Sequence, residues 1–389
     1  MKNKSKQSFA LRIFIAFIFA FLFISPIAWA AEPPAVDAAS YVLMSADTGE
    51  ILAKSNADAS RFPASTTKLM TMTLIMEALR NCEVDLEDQV TTSEYAASMG
   101  GSQVYLAAGE TRTLKEMLIG IAVGSGNDAC VAVAEHMSGT EEAFVEKMNQ
   151  KAKELGMKGT NYVNPHGLHD ENHYTTAEDM AVLAYYALRN YPEILEYTNI
   201  YEYQFRPDPK PLVLWNTNKL LKWYEGVDGL KTGYTSNAGR NLVASATRND
   251  MRLITVVMGV EPKNGHFKET IKLLDFGFNN FKYDKIYNKG DVLCAVPIHK
   301  GTAEYVDLMT AGQTGFLTEK SGQAETSKNI KITPGIKAPI AAGDVLGQVA
   351  ILKDGKTVAT TDLIAITDVP RISLIQCFVK TVNSVFSMS

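Results

Sequence analysis

Cysteine is scarce and dispersed in this chain: four residues, Cys82, Cys130, Cys294 and Cys377, with no short paired spacing. No disulfide framework can be read from them, and the three possible pairings stay open. Free, mostly buried thiols are expected instead, because Cys130 lies in an apolar helical run and a free thiol packs as a small hydrophobe. The six histidines and four cysteines form no cluster with metal-ligand spacing, so no metal site is expected. A basic excess is also missing. With 38 Lys and Arg against 43 Asp and Glu, a general nucleic-acid footprint is excluded. The sequence has no long internal repeat and no low-complexity linker.

What is present is a globular composition, 46% apolar and 21% charged, over 389 residues, enough for two or three domains. Met1 to Ala30 reads as a signal peptide: Lys2, Lys4, Lys6 and Arg12, then the apolar run Ile13 to Ile24, then Ala28-Trp29-Ala30 with small residues at a cleavage site. The uncharged run is short for a membrane span. Loss of those four cations takes the net charge from −5 to −9. At the other end, 370–389 reads as an amphipathic helix. Projecting Ile372 to Phe386 at 100° per residue places its eight apolar side chains within about 160° of arc. Arg371 and Lys380 are present and no acid, which suits a helix lying in a membrane interface.

Between these ends the pattern predicts two domains. The runs around Asp47-Thr48-Gly49 make a hairpin, and a helix starts at about Ser65, with Ser65 as a possible cap, and runs to about Arg80. Helices follow over Leu114 to Val123, Asp128 to Met137, Glu141 to Leu155 and Thr176 to Arg189, the last capped by Thr175 or Thr176. Strands are expected over Arg240 to Thr247 and Met251 to Val260, with Leu230 to Tyr234 beside them and a helix from Gly265 to Phe278. From about Tyr283 short β-prone runs broken by Gly, Pro, Asn and Asp predict a small all-β domain. The expected division is 31–282, 283–369 and the terminal helix.

Three short motifs carry polar chemistry. In Ser65-x-x-Lys68 a helical spacing of three brings hydroxyl and amine onto one face, where the positive end of the helix dipole disfavours a protonated lysine. Ser125-Gly126-Asn127 sits in a tight turn between two buried helices. Lys231-Thr232-Gly233 lies on a strand where Gly233 lets another backbone approach. Each alone has a plain structural reading: a capped helix with a surface lysine, a polar turn, a turn-rich strand. His166, His169 and His173 read as loop residues rather than metal ligands.

Together, in this order, the three motifs resemble those of the penicillin-binding serine acyl-transferases, and most closely the low-molecular-mass D-alanyl-D-alanine carboxypeptidases. The detailed resemblance runs from Ala38 to about Phe281 and includes Phe62-Pro-Ala-Ser-Thr-Thr-Lys68, Gly124-Ser-Gly-Asn-Asp-Ala129, Val163-Asn-Pro-His-Gly-Leu168 and Gly229-Leu-Lys-Thr-Gly-Tyr234. It implies an α+β fold: a penicillin-binding/β-lactamase-like domain with helices on an antiparallel sheet, then a small all-β domain and a C-terminal amphipathic helix. It implies Ser65 as nucleophile, Lys68 as its base, Ser125 as proton relay to the leaving D-alanine, and Asn127 on the substrate amide. Lys231 and Thr232 would hold the terminal carboxylate, with Gly233 leaving room and the backbone N–H groups of Ser65 and Tyr234 forming an oxyanion hole. Implied partners are peptidoglycan stem peptides ending in D-Ala-D-Ala, β-lactams as covalent inhibitors, and the outer face of the cytoplasmic membrane, reached after export. No cofactor is implied. The sequence departs from the family where many relatives carry a carboxylate-binding arginine: here it reads Gly259-Val-Glu-Pro-Lys-Asn-Gly265, with Lys263 as a candidate substitute lacking arginine's bidentate fork.

A β-lactamase, an endopeptidase using the same residues and an idle wall-binding protein are the alternatives. The long C-terminal β region and amphipathic end, and the lack of a clear acidic deacylation loop, weigh against the first. The three intact motifs weigh against the last. Truncation after Pro370 is expected to shift the mature protein from the membrane fraction to the soluble fraction; an unchanged distribution would sink the membrane-helix reading.

Overall fold

The computed structural model describes residues 32–207, 211–320 and 325–373. The proposed signal peptide and all but the first residues of the proposed membrane helix lie outside the described residues. The N-terminal part is built on a five-stranded antiparallel sheet. Its strands are β1 (Ser40–Ser45), β2 (Ile51–Ser55), β3 (Val227–Thr235), β4 (Gly239–Arg248) and β5 (Met251–Val260), in the order β2-β1-β5-β4-β3. β4 and β5 are joined by Asn249-Asp250, both with positive φ (47° and 61°), the conformation that lets a two-residue turn follow the twist of its strands. β3 is an edge strand, so one side of its backbone stays available for pairing.

Alternation along β1 divides the core. Val42 and Met44 point into a cluster with the helices α1 (Lys68–Arg80), α2 (Leu114–Ala122), α3 (Asn127–Ser138), α4 (Glu141–Glu154) and α5 (Ala177–Asn190). Tyr41 and Leu43 point to the opposite face, where α6 (Gly265–Asn280) buries Phe267, Leu273 and Leu274. α2 opens with a full capping box between Thr113 and Glu116, and α5 with Thr176, whose hydroxyl accepts from Asp179 N–H. α1 differs from the expectation. A 3₁₀ turn, Ala64–Thr67, precedes it, and Ser65 makes no cap, because its hydroxyl faces Lys68 instead.

The C-terminal unit has its own core of Val296, Val306, Leu308, Val349 and Leu363. Its strands are β6 (Phe281–Tyr287), β7 (Val292–Pro297), β8 (Tyr305–Thr310), β9 (Thr314–Glu319), β10 (Thr326–Ile332), β11 (Val345–Lys353) and β12 (Lys356–Ala365). They form the sheet β7-β8-β12-β11-β10 and the ribbon β6-β9. The sequence pattern missed that ribbon, and the boundary expected at 282 falls inside β6. Tyr283 and Leu317 of the ribbon are buried in the same cluster as Phe276 and Phe278 of α6, so this strand pair is shared packing rather than a linker.

The thiols are also less buried than expected. Cys130 is fully buried, Cys294 is partly so and Cys82 is exposed in the turn after α1; all three are free, and Cys377 lies outside the described residues.

One buried carboxylate ties a helix end to the rim of the site. Asp128, at the start of α3, is fully buried and accepts from the backbone N–H groups of Val104, Leu106 and Ala129. Replacement by alanine strands these donors. Asp128→Ala is expected to lower stability by about 3 kcal/mol in urea unfolding, and a loss below about 1 kcal/mol would show that water replaces the carboxylate.

Candidate active site

The nucleophile turn is shaped by backbone before chemistry enters. Ala64 has φ +49°, a conformation that costs a side-chain-bearing residue, and the next residue is Ser65. Carbonyl groups on either side of that turn are anchored. Asn241, on β4, donates its amide to Phe62 O at 2.9 Å and to Pro63 O at 3.0 Å, while its own carbonyl oxygen accepts from Gly259 N–H. Thr67 Oγ1 donates to Ala64 O and accepts from His173 Nε2 at 2.8 Å; His173 Nδ1 in turn accepts from Val163 N–H, which fixes the ring's tautomer. Gly167 closes the same turn from the other side: a Cβ there would lie 1.9 Å from Ala64 O, and φ is +88°.

Lys68 is fully buried at the start of α1 and its Nζ meets three oxygens: Ser65 Oγ at 3.1 Å, Asn127 Oδ1 at 2.7 Å and His166 O at 2.7 Å. This geometry serves both protonation states. An ammonium fills all three acceptors; a free amine keeps two N–H donors for Asn127 and His166 and turns its lone pair to the serine hydroxyl. Burial pushes Lys68 down to about 8. Lys231, on β3, is 1% exposed and donates to Thr232 O at 3.2 Å. Burial, helped by the neighbouring Lys68 charge, pushes it to about 7.

Asn127 is committed to this framework. One amide proton goes to Gly100 O at 2.7 Å and the carbonyl to Lys68, which leaves one amide proton free of the protein. Ser125, two residues earlier, has φ +58°, is 2% exposed, and its Oγ has no hydrogen-bond partner among the described residues. A buried hydroxyl without a partner is costly unless a bound group completes it. Thr232 Oγ1 lies 2.5 Å from Thr217 Oγ1 at the surface of the cleft. Gly233 presses the edge strand against the nucleophile turn: a Cβ would meet Pro63 O at 2.7 Å and the N atoms of Ser65 and Thr66 at 3.0 Å. Tyr234 is largely exposed beside it.

Of the eight residues singled out from sequence, Ser65, Lys68 and Asn127 are joined by hydrogen bonds, Ser125 precedes Asn127 in the same turn, and Gly233 brings the strand that carries Lys231, Thr232 and Tyr234 against the Ser65 turn. Those missed from sequence act through the backbone. Asn241 could have been noticed as a polar residue beside the apolar run Leu242-Val-Ala244; His166 reads from sequence as a loop residue in Val163-Asn-Pro-His-Gly-Leu168, where nothing local marks its main-chain carbonyl as the functional atom. Its ring is held by Leu168 N–H donating to Nδ1, and burial pushes it down to about 3, so it is neutral. Cys130 sits close enough to feel both lysines, yet burial drives its thiol up to about 12, which removes it as a nucleophile. Among the described residues no group of acids, histidines and cysteines could hold a metal ion.

Comparison with known proteins gives the same answer for both parts of the chain. Residues 27–262 match the D-alanyl-D-alanine carboxypeptidase family model, and residues 281–371 match that of the penicillin-binding protein 5 C-terminal domain. D-alanyl-D-alanine carboxypeptidase DacF of Bacillus subtilis (strain 168) is 44% identical over 349 residues, 89% of this chain and 90% of that protein. DacA of Haemophilus influenzae is 36% identical over 391 residues, covering 96% and 98%. Among solved structures, penicillin-binding protein 5 of Haemophilus influenzae superposes with TM-score 0.70 at 36% identity, covering 88% of this chain and all of that one. PBP3 of Streptococcus pneumoniae, described as a peptidoglycan synthesis regulatory factor, gives TM-score 0.73 at 27% identity, covering 86% and all of that chain.

Proposed function

The chain belongs to the D-alanyl-D-alanine carboxypeptidase family of penicillin-binding proteins, and from that membership we propose how its own residues divide the reaction. It is a serine-type hydrolase that removes the terminal D-alanine of peptidoglycan stem peptides through an acyl-enzyme. Ser65 Oγ attacks the carbonyl carbon between the two D-alanines while its proton passes to Lys68 Nζ. The N–H groups of Ser65 and Tyr234 receive the oxyanion. The carbon–nitrogen bond then breaks, and the departing amine takes, through Ser125 Oγ, the proton that Lys68 had accepted. Water attacks the ester carbonyl and gives a proton to Lys68, which returns it to Ser65 Oγ as the ester carbon–oxygen bond breaks and the shortened stem leaves. The observation that carries this assignment is the disposition of Lys68 Nζ, with two 2.7 Å acceptors and Ser65 Oγ as its third neighbour.

Lys68 and Lys231 are both buried, burial lowers the proton affinity of each, and the charge of either disfavours protonation of the other. A substrate carboxylate at Lys231 and Thr232 favours the proton on Lys231, so that the pair carries one proton and the Lys68 amine is freed as base. Binding itself then activates the nucleophile.

Asn127 holds Lys68 and offers its remaining amide proton to the substrate. β-Lactams acylate Ser65 by presenting the same backbone and carbonyl. Export and docking on the outer face of the cytoplasmic membrane belong to the same proposal, supported by the sequence patterns of Met1 to Ala30 and Ile372 to Phe386.

Ser65→Ala is expected to abolish D-alanine release from a D-Ala-D-Ala pentapeptide, by about 10⁴-fold or more, with peptide binding retained. Release by the variant at the wild-type rate, or none from soluble wild type that still binds the peptide, would defeat the assignment. Because the productive pair carries one proton, kcat/KM should rise through about pH 7 as the doubly protonated pair loses a proton. It should fall through about pH 8 as the second proton is lost. A flat profile from pH 6 to 9 would contradict the shared-proton scheme.

A further inference from the structure

At the end of β3, adjoining Tyr234, lies a cavity of about 530 Å³ lined by Arg61, Phe62, Tyr234, Ser236, Arg240 and Glu261, among others. Two guanidiniums line it. Arg112, Arg206 and Arg252 each bridge a carboxylate at 2.9 Å or less. Arg61 and Arg240 bridge none among the described residues. Arg61 Nε is buried with no partner, and its Nη2 reaches only Ala39 O, at 3.4 Å. Arg240 lies over the Tyr234 ring, 4.5 Å from its centroid, and donates Nη1 to the main-chain oxygen of Glu261 at 2.5 Å. Lys263, the residue that sequence alone offered as a cation here, does not line the cavity. Two half-buried guanidiniums on one cavity, neither within ion-pair distance of a carboxylate, describe an anion site, because each fork is built to hold one.

The direction of the substrate decides which carboxylate arrives there. This step rests on the carboxypeptidase assignment above. An extended peptide adding to the free edge of β3 runs antiparallel to it. Its terminal carboxylate lies at Lys231 and Thr232 and its scissile carbonyl at Tyr234. Continuing along β3 toward Ser236 therefore leads away from the terminal D-alanine, up the stem. At about 3.4 Å per residue, the one or two residues preceding the D-alanine that carries the scissile carbonyl reach the cavity wall at Ser236.

We propose that Arg61 and Arg240 form a subsite for a carboxylate carried by the stem peptide upstream of the scissile bond, with Glu261 receiving an ammonium where the same residue bears one. Two stem residues can present such a carboxylate: a γ-linked glutamate through its free α-carboxylate, or a diamino acid whose side chain ends in both an ammonium and a carboxylate. In either case the enzyme distinguishes stems by charge at a point remote from the bond it cuts.

The test measures kcat/KM for D-alanine release from three soluble pentapeptides with the same D-Ala-D-Ala end. One has free glutamate and a third-position lysine; the second has the glutamate amidated; the third has amidated glutamate and a third residue ending in ammonium and carboxylate. Wild type is expected to favour the first or the third over the second by about tenfold, the size of one charge-assisted contact. The first being favoured assigns the glutamate, the third the diamino acid. Arg61→Gln and Arg240→Gln should erase the preference while leaving the second peptide and the acylation of Ser65 by labelled penicillin unchanged. Equal rates on all three peptides with wild type would overturn the subsite and leave the carboxypeptidase reading standing. An equal slowing of all three in the variants would assign the arginines to the terminal carboxylate and overturn it as well. No release from any peptide would instead bring down both readings.

Discussion

The three contacts of Lys68 are the constraint on which the domain is arranged. They join three separate pieces of chain: the 3₁₀ turn and α1 through Ser65 and Lys68 itself, the start of α3 through Asn127, and the 164–168 loop through His166 O. A fully buried amine without acceptors would be prohibitive, so each piece must arrive for the others to be tolerated. Burial that would ordinarily expel a lysine is what lowers its proton affinity to a useful value.

Around that centre, close approach is achieved by removing side chains and by bending the backbone. Gly233 and Gly167 stand where a Cβ would strike the nucleophile turn. Ala64 and Ser125 adopt left-handed backbone conformations that cost energy without a glycine. Those costs are offset by polar anchors on rigid elements, with Asn241 on β4, Thr67 and His173 beneath the turn, and Asp128 pinning the 104–106 segment to α3. The cleft is thus held mostly by hydrogen bonds to the main chain, and within it Ser125 Oγ is left without a partner among the described residues, placed to meet a peptide.

Much of the architecture was legible before any coordinates. The β1-β2 hairpin, all six longer helices, the β4-β5 hairpin with its two-residue turn and five strands of the C-terminal unit follow apolar periodicity broken by turn residues. What escaped was structure whose pattern is not periodic at the right length. The β6-β9 ribbon mixes charged and aromatic residues because one part of it packs on α6. The 3₁₀ turn before α1 hid because Pro63 and Ser65 look like an ordinary helix start. Cys82 is exposed because a cysteine in a turn has no cluster to join.

The eight site residues were named from three short motifs, and their chemistry needs only residue type and spacing to be suspected. Sequence by itself determined the order of domains, the nucleophile and amine pair and the family, because helical spacing, turn chemistry and motif order are local or additive properties. Tertiary structure alone decided the roles of groups that have no local signature: the His166 carbonyl, the Asn241 clamp and the burial that lowers the proton affinities of both lysines. It also brought Arg61 and Arg240, 179 positions apart, to one cavity. Their shared reason is that burial and long-range approach set proton affinity and unmet hydrogen-bonding capacity, and neither quantity is carried by any single stretch of chain.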